Sequence, residues 1–117
     1  MCENERKALN YLPWHTATVL REFVRKALEG LPVKGVILFG SQARRTARES
    51  SDIDIALILS RELTTVEHLS LTEIADGLEK RFHVQVQPHP FTEEQFSRTD
   101  DPLIKEIKRD GVQLVPG

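Results

Sequence analysis

The chain has 117 residues, of which 39% are hydrophobic and 29% charged, and its formal net charge is −2. This length predicts a single domain over residues 1–117, and the slight negative charge argues against a general nucleic-acid binder, which needs a basic surface. No apolar run approaches the roughly 20 residues of a membrane span, and the N-terminus lacks an apolar signal segment. The single cysteine, Cys2, excludes an internal disulfide, so we expect a cytoplasmic protein.

An amphipathic helix is predicted first along the chain, with Thr16 as its N-cap and Gly30 as its stop. Its apolar residues recur at helical spacing and charged residues occupy the other face, as in a helix that covers a core. The apolar positions are Leu20, Phe23, Val24, Ala27, Leu28 and Leu31.

A strand over residues 33–39 is predicted next, because its β-branched and aromatic residues end abruptly at Gly40. Gly40 permits a sharp turn and leaves room for a closely approaching group. Ser41 and a helical turn over residues 42–47 would then present N–H groups and a hydroxyl to an anion such as phosphate. A plain Gly-Ser turn without a ligand is the alternative interpretation of this segment.

Two carboxylates open the second predicted strand, which covers residues 52–59. Because strand side chains alternate between faces, Asp52 and Asp54 point the same way and repel each other. A divalent cation resolves this repulsion, and oxygen ligands suit Mg²⁺, which takes one or two carboxylates together with substrate phosphates. The alternative is that both side chains are simply solvated at an exposed strand end.

The segments Gly40-Ser41-x-Ala43-Arg44 and Ser51-Asp52-Ile53-Asp54 together resemble the signature of the minimal nucleotidyltransferases, which are small members of the polymerase-β-like nucleotidyltransferase superfamily. The chain length and the tail over residues 107–114 are also similar to that family. The resemblance implies an α+β fold, with a small mixed or antiparallel β-sheet flanked by helices.

This resemblance further implies transfer of a nucleoside monophosphate, with AMP from ATP as the leading candidate, in the presence of Mg²⁺. Asp52 and Asp54 would be the catalytic and metal-binding residues. The nucleotide and its phosphates would contact Gly40, Ser41, Arg44 and Ser51. Proteins of this family are frequently antitoxins paired with a HEPN-type toxin, and a tyrosine hydroxyl of that toxin can be the acceptor.

Three arginines follow the Gly-Ser turn, and only Arg44 belongs to the motif. Arg45 and Arg48 would either steady a triphosphate or form a polar connector between the two strands. The family commonly has glycine where this chain has Arg45, which changes the expected local backbone.

The remaining segments predict a second amphipathic helix capped by Thr64 or Thr65, a third strand and two further helices. The third strand is expected over residues 83–87 and is expected to end at Pro88. Residues 92–95 form a capping box that opens a short helix. Asp101 and Pro102 open the last helix, Gly111 ends it, and a short strand over residues 112–115 is expected to follow.

A third carboxylate usually completes the superfamily's site from a neighbouring strand, and here Gln85 is the candidate for that position. An amide carries no charge and accepts no proton at neutral pH. A second metal ion would therefore bind more weakly, and the acceptor hydroxyl would be less activated. Glu93 or Glu94 could substitute from the following loop.

The sequence is compatible with three functions. One is an adenylyltransferase acting on a hydroxyl of a partner protein, and another is a catalytically weak nucleotide-binding module that neutralises its partner by contact. The third is a subunit of an antibiotic nucleotidyltransferase, although such enzymes carry an extra helical domain. The sequence also leaves the oligomeric state open.

Overall fold

A four-stranded β-sheet organises the protein, whose computed structural model describes residues 14–40, 52–98 and 100–115. The strands and helices follow one another in chain order as α1 (Trp14–Gly30), β1 (Val33–Phe39), β2 (Ile53–Leu59), α2 (Thr65–Phe82), β3 (Val86–Thr92), α3 (Glu93–Phe96), α4 (Pro102–Asp110) and β4 (Val112–Val115). Within the described ranges, no helix is both long and apolar enough to cross a bilayer.

The strand order in the sheet is β3-β2-β1-β4. β1 pairs antiparallel with both β2 and β4, and β2 pairs parallel with β3. The register places Phe39, the last residue of β1, opposite Asp54 near the start of β2. The sheet is therefore mixed and flanked by helices, which confirms the predicted α+β fold.

The main core lies on one face of the sheet, beneath α1 and α2. Alternate residues of the two central strands point into it, among them Leu38 of β1 and Ile55 and Leu57 of β2, all fully buried. Phe23 of α1 and Leu78 of α2 pack against them. This side of β2 is apolar along its whole length, so the polar residue of that strand lies on the opposite face.

A smaller apolar cluster occupies the opposite face and consists of Phe39, Ala56 and Ile107, with partly buried neighbours from α3, α4 and β3. Because Asp54 lies two residues before Ala56 in β2, its side chain points to this same face. The cluster thus covers the middle of the face, and the two acidic residues lie beyond its edge.

Some expectations about element boundaries are wrong. The third strand does not cover residues 83–87: His83 is the C-cap of α2, and β3 begins at Val86 and runs through Pro88 and Pro90. The carbonyl of Gln85 accepts a hydrogen bond from Ile53 N–H, so odd-numbered residues present their backbone groups to β2. The two prolines therefore face the outer edge of the sheet, where a missing N–H removes no ladder bond.

Another incorrect expectation concerns α1, which begins at Trp14 and includes Thr16 in its first turn. Thr16 is 3% exposed, so it lies against the core and is not the N-cap.

The other predicted helix ends are confirmed. Thr64 caps α2 and Thr92 caps α3, each through a reciprocal capping box. Asp101 accepts hydrogen bonds from the N–H groups of Leu103 and Ile104 at the start of α4, with Pro102 as the first helical residue. These local bonds satisfy backbone donors that helix starts leave unpaired.

The capping box of α2 makes a testable contribution to stability at neutral pH. Arg61 donates two hydrogen bonds to the Glu67 carboxylate, at 2.7 and 2.9 Å, and the Thr64 N–H donates a third. The Arg61 hydrogen bonds first, and the backbone bond second, lower the pKa of Glu67 from 4.5 to about 2. The ionised form is therefore favoured in the folded state, and its contribution is lost as the pH falls from about 4.5 towards 2.

We expect Glu67→Gln to lower the urea midpoint at pH 7 and to lower it less at pH 3, where the unfolded chain already carries protonated glutamate. Glu73→Gln, an exposed position of the same helix, is the control and should leave the midpoint nearly unchanged at both pH values. An equal loss for Glu67→Gln at pH 7 and pH 3 would contradict this assignment.

Candidate active site

Gly40 and Asp54 are in close contact where β1 ends and β2 begins. Gly40 has a φ of +75°, a conformation that side-chain-bearing residues rarely adopt. A Cβ built at this position would lie only 2.7 Å from Oδ2 of Asp54. Glycine is therefore required twice here, by the backbone turn and by the approach of the carboxylate.

Asp52 and Asp54 are both partly buried at this edge, and the Asp54 side chain is 26% exposed. Asp54 belongs to β2, and Asp52 directly precedes that strand. Their side chains lie on the face opposite the main core. Both predicted carboxylates thus lie at this edge of the sheet, with Asp54 against Gly40 and each side chain partly exposed to solvent.

Two side chains of β3 contact these carboxylates. Gln87, which pairs with Asp54 in the parallel register, donates from Nε2 to Oδ2 of Asp52 at 2.9 Å. Nε2 of His89 lies 3.4 Å from Oδ1 of Asp54. The His89 ring also meets the ring of Phe39 edge-on, with 5.1 Å between the centroids. Each carboxylate therefore has one oxygen engaged by β3.

Gln85, the candidate for the third position, lies one residue before β3 and its side chain is exposed. The glutamine that hydrogen bonds to an aspartate is Gln87. Gln85 contributes its backbone carbonyl to the ladder with Ile53. The glutamine next to the acidic pair is therefore Gln87, which lies two residues after the predicted Gln85. Glu93 and Glu94, the suggested substitutes, are exposed in α3, at the far end of β3 from Gln87.

Among the described residues, the site has two carboxylates, Asp52 and Asp54, with the amide of Gln87 next to them. Within the described residues, no group of three or more His, Cys, Asp and Glu side chains is arranged to hold a metal ion. Two adjacent, partly solvated carboxylates nevertheless fit one Mg²⁺, which keeps several waters and shares its other ligands with substrate phosphates. The donor set in the part of the chain that the structure describes therefore fits a single Mg²⁺, and it carries less charge than three carboxylates would.

The other predicted nucleotide contacts, Ser41, Arg44 and Ser51, lie outside the described residues, as do Arg45 and Arg48. Their roles stay predictions. Sequence reasoning assigned no role in the site to Gln87 and His89, although a signal exists. The polar residues Gln85, Gln87 and His89 alternate with apolar residues, and this period of two continues past Pro88.

Family assignment follows from this arrangement together with sequence similarity. Residues 22–116 match the family described as polymerase beta, nucleotidyltransferase. This match covers most of the chain, so the protein belongs to the polymerase beta nucleotidyltransferase family and is a nucleotidyltransferase. The resemblance predicted from the two motifs is thereby confirmed.

Individual relatives agree with this assignment. A protein of Methanocaldococcus jannaschii, provisionally named protein adenylyltransferase, is 34% identical over 68 residues, which span 58% of this chain and 76% of the relative. A toxin–antitoxin complex crystallised with AMP-PNP contains a chain of similar fold, with a TM-score of 0.63, 20% identity, and 83% of this chain and 73% of that chain covered.

A protein described as a minimal nucleotidyltransferase gives a TM-score of 0.57 at 24% identity, with 88% of this chain and 97% of that chain covered. At these identities the two solved structures are evidence for the shared fold.

Proposed function

We propose that this protein is a Mg²⁺-dependent adenylyltransferase that moves AMP from ATP to a hydroxyl of a partner protein in the cytoplasm, as the antitoxin of a HEPN-type toxin. The observation that carries the proposal is the contact of Gly40 with Asp54 beside Asp52. Gly40 opens the predicted phosphate-binding turn, and Asp54 belongs to the predicted metal-binding pair. The contact therefore brings these two parts of the proposed site together.

Asp52 and Asp54 would hold Mg²⁺, and the turn at Gly40 would bring backbone N–H groups towards the phosphates, with Ser41, Arg44 and Ser51 nearby in sequence. When bound, Mg²⁺ neutralises phosphate charge and orients the reacting groups. The acceptor oxygen forms a bond to the α-phosphorus as the bond to the bridging oxygen breaks. Pyrophosphate leaves and the hydroxyl proton passes to solvent. Such transfer depends mainly on positioning and electrostatics.

Two similarities support a protein acceptor and ATP. The archaeal relative carries the name protein adenylyltransferase, and the toxin–antitoxin complex of similar fold was crystallised with an ATP analogue. In this proposal, a partner protein presents the acceptor hydroxyl.

The test is a transfer assay with the protein encoded next to this one in the genome. The two proteins are incubated with Mg²⁺ and with ATP labelled at either the α- or the γ-phosphate. We expect label on the partner from α-labelled ATP and none from γ-labelled ATP. Label from γ-labelled ATP would indicate phosphorylation instead, and no label from either would refute transfer to this partner.

A second function is favoured by the amide at Gln87, which gives the site less charge than a third carboxylate would. In this alternative the protein binds a nucleotide weakly and neutralises its partner by contact alone. The double variant Asp52→Asn/Asp54→Asn separates the two functions in cells that express the partner. Under the transferase proposal these cells stop growing, whereas under the contact alternative the folded variant still protects them.

A further inference from the structure

The contacts made by β3 suggest a role for the two residues that sequence reasoning missed. Gln87 and His89 follow each other at strand spacing, so their side chains point to the same face as Asp52 and Asp54. Each reaches a different carboxylate, at 2.9 and 3.4 Å respectively. Neither carries the negative charge of the carboxylate that the superfamily usually has on this strand.

We infer that Gln87 and His89 are positioning residues, which hold Asp52 and Asp54 for a single divalent cation in place of a charged ligand from β3. This inference rests on the proposed function and concerns how the same site binds its metal ion. It differs from the usual superfamily site because β3 here orients the ligands and adds no carboxylate of its own.

The geometry supports orientation of both ligands. The bond from Gln87 engages Oδ2 of Asp52 and so fixes the rotation of that carboxylate. His89 contacts Oδ1 of Asp54, whereas Oδ2 of the same carboxylate lies on the side of Gly40. Groups that hydrogen bond to metal ligands in this way typically change metal affinity by 10–100-fold when removed.

Packing holds the two positioning side chains in place. The imidazole of His89 is 32% exposed and meets the Phe39 ring at an interplanar angle of 64°. Phe39 is itself buried in the smaller apolar cluster. Gln87 is partly buried next to the paired strand β2. A side chain confined by its neighbours loses little further freedom when its partner binds a cation.

The charge of the acidic pair matches that of one divalent cation. Asp52 and Asp54 together offer two negative charges, which one divalent cation neutralises. A glutamate at position 87 would have the shape of glutamine and would add a third negative charge within reach of Asp52. Without a cation, this glutamate and Asp52 would repel each other, and a bound cation would relieve the repulsion.

The experiment measures Mn²⁺ binding by the electron paramagnetic resonance signal of the free ion, with and without AMP-PNP, in four variants of the intact chain and in one control variant. Gln87→Met removes the hydrogen bond at similar size, and His89→Leu removes the imidazole. Gln87→Glu adds charge at the inferred position, and Gln85→Glu adds it at the position first expected from the sequence. Gln113→Glu, exposed on the opposite edge strand, controls for net charge.

We expect Gln87→Met and His89→Leu each to weaken Mn²⁺ binding by about tenfold or more without lowering the melting temperature measured in EDTA by more than the control does. Gln87→Glu should bind Mn²⁺ more tightly than wild type, and by a larger factor than Gln85→Glu. Unchanged affinity in Gln87→Met, or a larger gain from Gln85→Glu, would overturn the inference.

These results are separable from those of the transfer assay. If wild type transfers AMP while Gln87→Met binds Mn²⁺ normally, the inference fails and the proposed function stands. If wild type transfers nothing while the Mn²⁺ affinities change as expected, the proposed function fails and the assignment of positioning residues stands.

Discussion

Asp54→Asn is expected to reduce transfer of AMP at least about a hundredfold. The substitution keeps the size of the side chain but removes the negative charge next to Gly40, which is one of the two in the acidic pair. A bound metal ion supplies several kcal/mol of stabilisation to the transition state, and each 1.36 kcal/mol corresponds to a factor of ten in rate. The measurement is the initial rate of label transfer to the partner at saturating ATP.

Asp76→Asn is the matched control for this change. Asp76 is exposed on α2, which packs on the other face of the sheet from Asp54, and its substitution changes the net charge by the same amount. We expect the control to retain wild-type rate. Retention of most activity by Asp54→Asn would remove Asp54 from the catalytic machinery, and equal losses in both variants would point to a general effect of charge.

Gly40→Ala is expected both to destabilise the protein and to weaken its binding of cation and nucleotide. Alanine in a left-handed conformation costs roughly 1–2 kcal/mol, and the new Cβ would overlap Oδ2 of Asp54. Either the backbone or the carboxylate has to move, and both movements displace a group of the site. We therefore expect a loss of about 2 kcal/mol in unfolding free energy, measured by urea denaturation, together with weaker Mn²⁺ binding.

Gly77→Ala provides the comparison for that variant. Gly77 lies in the interior of α2, and a Cβ at this position would meet nothing within 4 Å. Replacing it with alanine should stabilise the helix by roughly 0.5–1 kcal/mol and leave Mn²⁺ binding unchanged. If Gly40→Ala bound Mn²⁺ as well as Gly77→Ala does, the contact between Gly40 and Asp54 would have no part in the site.

Local signals in the sequence are sufficient for much of the fold. The bounds of β1 and the caps Thr92 and Asp101 follow from residues within a few positions of each element. Such features depend on backbone conformation and on side chains that bond to their own segment. The pairing of Asp52 with Asp54 is equally local, because it needs only the alternation of a strand.

The errors arise where position within the sheet decides the outcome. Pro88 is an acceptable strand residue only because β3 is an edge strand and the proline faces outward, and neither fact is visible in the residues around it. The same parallel register determines that Gln87, and not Gln85, reaches Asp52. Threonine is a residue type that favours the N-cap position, yet Thr16 is buried against the core inside α1.

A crystal structure of the protein with AMP-PNP and Mn²⁺ tests the central claim most directly, since anomalous scattering locates the metal ion. The account predicts one Mn²⁺ bound by carboxylate oxygens of Asp52 and Asp54, with the phosphates of AMP-PNP next to Gly40. A metal ion held by other residues, or a nucleotide bound away from the end of β1, would contradict it.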